Sequence, residues 1–350
     1  MSTDRYQPPK DLPGALRLHL NENTGGCSTA VLDAVRRVTA EQIAVYPDYE
    51  ALTRECAAYL GVPETQVVLT NGLDEGQLSL IVACFRANES RPGIPEGIIV
   101  LPAFEMYAIQ IRAAGGRVVA VPSRADFGFP IEEILQAVTP RTRIICLTSP
   151  NNPTGLLIPH DAIRRIARSV PPDVTIALDE AYFEFSGETF VPDIPTHPNV
   201  IVGRTFAKAH GLAGLRAGCL VGDEARLDPI RNVIPPYNIN VLTAAGWRAA
   251  LQDRDHLAWY QKEVAASRQL VYERCARLGL TYWKSAGNFV LIRIGDDVQR
   301  VVNLMAARGI LIKDRSREHG CEGCVRMTAG VVTHTQTALA VMEEILCAAR

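Results

Sequence analysis

Between residues 66 and 179 short runs of Val, Ile and Leu alternate with amphipathic stretches, and no other feature of the chain constrains its fold as strongly. "QVVLT" (66–70) precedes "DEGQLSLIVACF" (74–85), and "GIIVL" (97–101) precedes "FEMYAIQIRAAG" (104–115). "RVVAV" (117–121) is followed by "PIEEILQAV" (130–138), and "RIICLT" (143–148) by "HDAIRRIARSV" (160–170), before "VTIALD" (174–179). Strands nearly continuous in apolar residues must be buried on both faces, and their alternation with helices predicts an α/β fold: a mostly parallel sheet flanked by helices. "NVIVGR" (199–204) and "AGCLVG" (217–222) add two more strands.

After about residue 238 the texture changes. A long helical stretch (239–279) leads into "NFVLIRI" (288–294), a helix over 297–309, short strands at 310–312 and 325–328, and a last helix over 335–349. This predicts three parts: an N-terminal arm (1–35) that serves the small domain and a neighbouring subunit, a large domain (36–240), and a smaller α+β domain (241–350). A chain of 350 residues can bury a core of that size. Its net charge of −2 offers no broad field to a nucleic acid or an anionic membrane. The first twenty residues lack an apolar run of signal-peptide length, and no run approaches a bilayer span, so a cytoplasmic location is expected. Nine scattered cysteines read as reduced thiols; Cys321-Glu-Gly-Cys324 alone is too little for a metal site, and none is expected.

In open α/β sheets ligands bind beyond the carboxyl ends of the strands. After the first strand comes "TNGLDEG" (70–76), whose backbone N–H groups at a helix start suit an anion, although a simple turn with Asp74 as cap explains it equally well. "SPNNPTG" (149–155) follows another strand as a rigid polar turn. Asp179 ends an apolar strand, where a buried carboxylate needs a cationic or N–H partner, and Tyr182 lies three residues on. Then comes "RTFAKAHGLAGLRAG" (204–218). Only five of the 36 basic residues are lysines, and Lys208 is one of them, set between Phe206-Ala207 and Ala209. A desolvated lysine can lose its proton and form a Schiff base; arginine cannot.

"LNEN" (20–23), "YPD" (46–48), "GLDEG" (72–76), "PAFEMY" (102–107), "SPNNPTG", "DEAYFEF" (179–185), the Lys208 segment, "PPYNIN" (235–240), "GNFVL" (287–291) and "CVRMTAG" (324–330) together resemble the fold-type I, class I/II pyridoxal-phosphate aminotransferases, and within them the histidinol-phosphate aminotransferases. The resemblance implies an aspartate-aminotransferase-like fold, pyridoxal 5'-phosphate as cofactor, and a homodimer with shared sites. It implies that Lys208 forms the imine with the cofactor and shuttles protons, that Asp179 pairs with the pyridine nitrogen, and that Asn152 and Tyr182 hold the phenolic oxygen. Phe104 would stack on the ring. Thr205, Arg216 and the backbone at Leu73 and Asp74 would hold the phosphate, joined by Tyr46 from the neighbouring subunit. Arg326 would bind an acidic group of the substrate, with Lys313, Asn23 and Tyr6 also lining the pocket.

The implied reaction passes an amino group between glutamate and imidazole-acetol phosphate. An aromatic or other amino-acid aminotransferase and a phosphothreonine-type decarboxylase share the pattern, and an aminotransferase-like binding domain without catalysis is a third possibility that the intact Lys208, Asp179 and Arg216 set opposes. Three positions depart from the subfamily: Ala207 stands where a serine is usual, Lys313 where a second arginine is usual, and "NENTGGC" lacks the proline usual after "NEN".

Overall fold

In a computed structural model, which describes residues 12–87 and 93–348, seven strands form one sheet. Their spatial order is Val67–Asn71, Ala217–Val221, Val200–Thr205, Thr175–Asp179, Thr142–Thr148, Glu96–Leu101, Arg117–Pro122. All neighbours run parallel except around Ala217–Val221, which is antiparallel to both strands beside it. The apolar runs behave as their composition requires: Ile144, Ile145, Cys146 and Leu147, which alternate between the two faces, are all buried. Helices cover both sides. In His160–Ser169, Ala162, Ile163, Ile166 and Ala167 face the core at helical spacing. The sheet order reverses between Thr142–Thr148 and Glu96–Leu101, which opens a crevice at the carboxyl edge.

The C-terminal residues build a second, four-stranded sheet ordered Lys313–Asp314, Cys324–Thr328, Phe289–Arg293, Thr281–Tyr282, all antiparallel. Its core joins Val290, Ile292, Val325 and Met327 to Val271 and Met305 from the helices behind.

Two features differ from the sequence expectation. The helical stretch 239–279 is two helices, Val241–Gln252 and Arg254–Leu278, because Asp253 leaves the helical region at φ −85°, ψ 75° and turns its carboxylate to accept from His256 N at 3.0 Å. The first of these helices belongs to the large sheet's core, where Trp247 is fully buried and packs on Phe206 with ring centroids 4.7 Å apart. The N-terminal stretch, which shows no periodicity, nevertheless adds a strand: Leu16–Arg17 pairs in parallel with Ile310–Leu311, and Leu18 is buried in the C-terminal core of the same chain. A two-residue strand is too short to leave a period-2 signature.

Candidate active site

The crevice at the strand ends meets the C-terminal sheet in one cavity. Leu73, Asp74, Phe104, Asn152, Asp179, Tyr182, Thr205, Lys208 and Arg216 line it from the large sheet, and Lys313, Arg315 and Arg326 from the smaller one. Residues as far apart in the chain as Leu73 and Arg326 thus face a common space, because the loops after the large sheet's strands open on the edge that the smaller sheet covers.

Lys208 follows the strand Val200–Thr205 on a turn whose flanking Phe206, Ala207 and Ala209 are buried. Burial lowers its pKa to about 8, and the nearby Arg326 charge pushes the same way. Its Nζ donates to the carbonyl oxygen of Leu20 at 2.9 Å.

Asp179 is the last residue of its strand. Oδ2 accepts from the Tyr107 hydroxyl at 2.6 Å and from Gln77 Nε2 at 2.9 Å, and Oδ1 accepts from Ala181 N at 2.8 Å. Burial pushes the carboxyl above its ordinary range while these donors pull it back. Such a group is fixed in place and short of a positive partner. Tyr107 and Gln77 carry no sequence signal of their own, since each lies on the inner side of an ordinary amphipathic helix.

The Tyr182 hydroxyl accepts from Asn21 Nδ2 at 2.9 Å, and its ring meets Phe289 edge-on with centroids 4.9 Å apart. Asn21 has φ +56°, in the left-handed region that asparagine tolerates better than most residues. Asn23, expected in the pocket, lies outside this cavity. Its side chain donates to Ala209 O at 2.9 Å and accepts from Gly25 N at 2.9 Å, so Asn21 is the asparagine of "LNEN" that faces the cavity. Arg326 donates to Asn152 Oδ1 and to His19 O, joining the two sheets across the cavity.

At the other end the helix Leu73–Arg86 starts at Gly72, φ +74°, with no side-chain cap. Arg216, itself at φ +58°, lies over this terminus and donates to Asp74 Oδ2 at 2.9 Å and to Ala213 O at 3.2 Å. A Cβ at Gly72 would run into the Arg216 guanidinium. Free helix N–H groups under a guanidinium suit a phosphate. Thr205 Oγ1 accepts from the N–H of Ala207, whose methyl leaves one hydroxyl fewer here than a serine would.

Phe104 lines the cavity beside Tyr107, with ring centroids 5.9 Å apart. Tyr46 is remote from it, 75% exposed and stacked on Tyr237 at 4.2 Å between centroids. Tyr6 lies outside the described residues. Cys321 and Cys324 are buried beside Trp283 and Leu291 and act as packing groups. The cavity therefore brings together a helix terminus under the Arg216 guanidinium, the buried Asp179 carboxylate, the Lys208 amine with its pKa lowered to about 8, and the Arg326 guanidinium.

The model of aminotransferase class I and II matches residues 13–342. The chain is 34% identical over 344 residues to "Histidinol-phosphate aminotransferase 2" of Ralstonia nicotianae, spanning 95% of this chain and 89% of the relative. It is also 34% identical over 334 residues to the "Aromatic amino acid aminotransferase" of Mycobacterium ulcerans, spanning 92% and 89%. The crystal structure of histidinol-phosphate aminotransferase from Sinorhizobium meliloti in complex with pyridoxal-5'-phosphate superposes with a TM-score of 0.85 at 27% identity, covering 96% of this chain and 92% of that one. With the match running through both sheets and every strand-end loop that lines the cavity, the chain belongs to the class I and II aminotransferase family.

Proposed function

We propose that this chain is a pyridoxal-phosphate-dependent aminotransferase that passes an amino group between glutamate and imidazole-acetol phosphate, yielding histidinol phosphate for histidine biosynthesis. The observation that carries the reading is the placement of Lys208, its pKa lowered to about 8, in one cavity with the buried Asp179 carboxylate and the Arg216-capped helix terminus. The names of the Ralstonia and Sinorhizobium relatives support it.

The residues present fit pyridoxal phosphate. Gly72 leaves room for Arg216 over the helix N–H groups, and a Cβ there would close that cradle. Asp179 would hold the pyridine N–H, Asn152 and Tyr182 the phenolic oxygen, and Phe104 one ring face, while Thr205, Arg216 and the N–H groups of Leu73 and Asp74 would take the phosphate. Bound there, the cofactor supplies an aldehyde carbon for imine exchange and a ring that delocalises the electron pair released at the substrate α-carbon.

Lys208 then has two tasks that its lowered pKa serves: presenting a neutral amine near pH 8, and carrying a proton to and from the substrate α-carbon. Asp179, fixed by Tyr107 and Gln77, keeps a negative charge where a ring N–H⁺ would be stabilised. Arg326, held by Asn152 and His19, orients an acidic group of the substrate.

The proposal includes a cytoplasmic homodimer in which Tyr46 reaches the phosphate of the partner subunit's site. It also divides the chain into arm, large domain and small domain, but the packing of Val241–Gln252 in the large sheet's core moves the boundary expected at 240/241 past that helix. Among the described residues no helix is long and apolar enough to cross a membrane.

A half-reaction screen tests the function. Enzyme converted to the amino form of the cofactor is mixed with imidazole-acetol phosphate and a panel of keto acids, and recovery of the original cofactor absorbance is ranked. Imidazole-acetol phosphate should lead; a Lys208→Ala protein turning over at the wild-type rate would sink the reading. The Mycobacterium ulcerans relative favours a second reading, an aromatic aminotransferase, in which phenylpyruvate leads instead.

A further inference from the structure

The cavity wall formed by the edge strand carries more positive charge than its neighbours balance. Lys313 lies in register opposite Arg326 across the antiparallel pair, and Arg315, two residues on, donates its backbone N–H to Cys324 O at 3.0 Å. Residues two apart on an extended strand share a face, and both Lys313 and Arg315 line the cavity. Asp314 between them accepts from Ser316 N at 2.8 Å and Ser316 Oγ at 2.6 Å.

Lys313 is half-buried, and among the described residues its ammonium has no hydrogen-bond or ion-pair partner. Burial and the adjacent Arg315 charge depress its pKa, with Glu105 opposing from across the space. Arg315 is buried, and its Nη1 donates to Glu318 Oε1. Among the described residues no group bonds Nη2, although Arg315 lines the cavity. Glu318 therefore fixes one edge of the guanidinium and leaves the other for a ligand. Two cations and one carboxylate on this wall, with Arg326 beside them, call for an anion of more than one charge.

We propose that Arg315, positioned by Glu318, is a specificity-determining residue for a phosphate on the substrate: together Lys313 and Arg315 bind that dianion, the guanidinium fork being supplied two residues along the strand from the lysine. The inference rests on the transamination reading above and adds the residue that selects its phosphorylated substrate. A lysine alone is a point charge; an arginine adds planar, two-pronged recognition of phosphate oxygens.

The test uses the holoenzyme, wild type and Arg315→Gln, Arg315→Lys and Glu318→Gln. Steady-state kinetics with imidazole-acetol phosphate and with phenylpyruvate are paired with calorimetric binding of histidinol phosphate. For Arg315→Gln the ratio of kcat/KM between phosphorylated and unphosphorylated acceptor should fall roughly 10- to 100-fold, chiefly through KM, and the Kd of histidinol phosphate should rise by a similar factor, as expected for loss of a charged hydrogen-bond donor. Arg315→Lys, which keeps the charge, should fall between, and Glu318→Gln should give a smaller loss in the same ratio. If Arg315→Gln does not fold, a shift of about threefold or more in Arg315→Lys is required, the least a lost fork should cost. An unchanged ratio in an enzyme that accepts the phosphorylated substrate overturns the Arg315 assignment and leaves the transamination reading standing. A wild-type enzyme that takes phenylpyruvate but neither binds nor turns over the phosphorylated compounds overturns both the assignment and the histidinol-phosphate reading.

Discussion

Arg326 and Asn152 are 174 residues apart in sequence and share a hydrogen bond between Nη1 and Oδ1, the guanidinium reaching from the C-terminal sheet to the turn of the large one. The contact ties the two sheets together at the point where an acidic substrate group would enter. Because Arg326 is buried and also donates to His19 O, its replacement leaves two acceptors without their donor. Arg326→Gln should lower kcat/KM for glutamate by on the order of 100-fold, about 3 kcal/mol, with Arg326→Lys recovering only part because the fork is lost. Steady-state kinetics with glutamate as donor measure it, and a change of less than about threefold would remove Arg326 from substrate binding.

The depressed pKa of Lys208 makes a stability prediction for the protein without cofactor. A lysine at about 8 when folded and 10.5 when unfolded binds fewer protons in the folded state between those values, so stability rises with pH across that window. Below about pH 8 the full penalty of burying the charge is present, up to roughly 3 kcal/mol. Lys208→Met should therefore be the more stable protein at pH 7, and the gap should close as pH approaches 10. Urea melts of both proteins at several pH values read this directly; a gap independent of pH would contradict it.

At Gly72 two constraints coincide: φ is +74°, and an added Cβ meets the Arg216 guanidinium. Gly61, at φ +72° with nothing within 4 Å of a Cβ, carries the first constraint alone. Gly61→Ala should cost about 1 kcal/mol in stability and leave cofactor affinity near wild type. Gly72→Ala should cost as much and also weaken cofactor binding by roughly 10-fold or more, since the arginine and the helix terminus can no longer share one phosphate. Cofactor titration followed by absorbance separates the two; equal affinities would show that the cradle is not where the phosphate sits.

The parallel sheet was legible because strands buried on both faces must be apolar throughout, and the strand-end loops were legible because that topology sends them to one edge. What escaped has a physical cause in each case. Leu16–Arg17 is too short for periodicity and exists only because Ile310–Leu311 is there to pair with it. Asn21 and Asn23 are equivalent letters until the positive φ at Asn21 turns one into the cavity and the other away. Gln77 and Tyr107 hold Asp179 from helix faces that read as ordinary core. Arg315 looks like a surface cation in sequence, and only its packing against Glu318 and Cys324 shows it to be buried.

Ile43, Val45, Tyr46 and Tyr237 are each more than half exposed, and the stack of Tyr46 on Tyr237 gathers two of these apolar groups into a patch. The proposed homodimer would cover this patch. If two copies meet there, Tyr46 is carried towards the partner's phosphate site, and dimerisation and cofactor retention become linked. Sedimentation should find a dimer at micromolar concentration, and Val45→Asp, which buries a charge in the joint, should raise the dimer Kd by at least roughly 100-fold. The same variant should lose cofactor on dilution at concentrations where the wild type keeps it. A wild-type monomer with full activity would break the link at its first step.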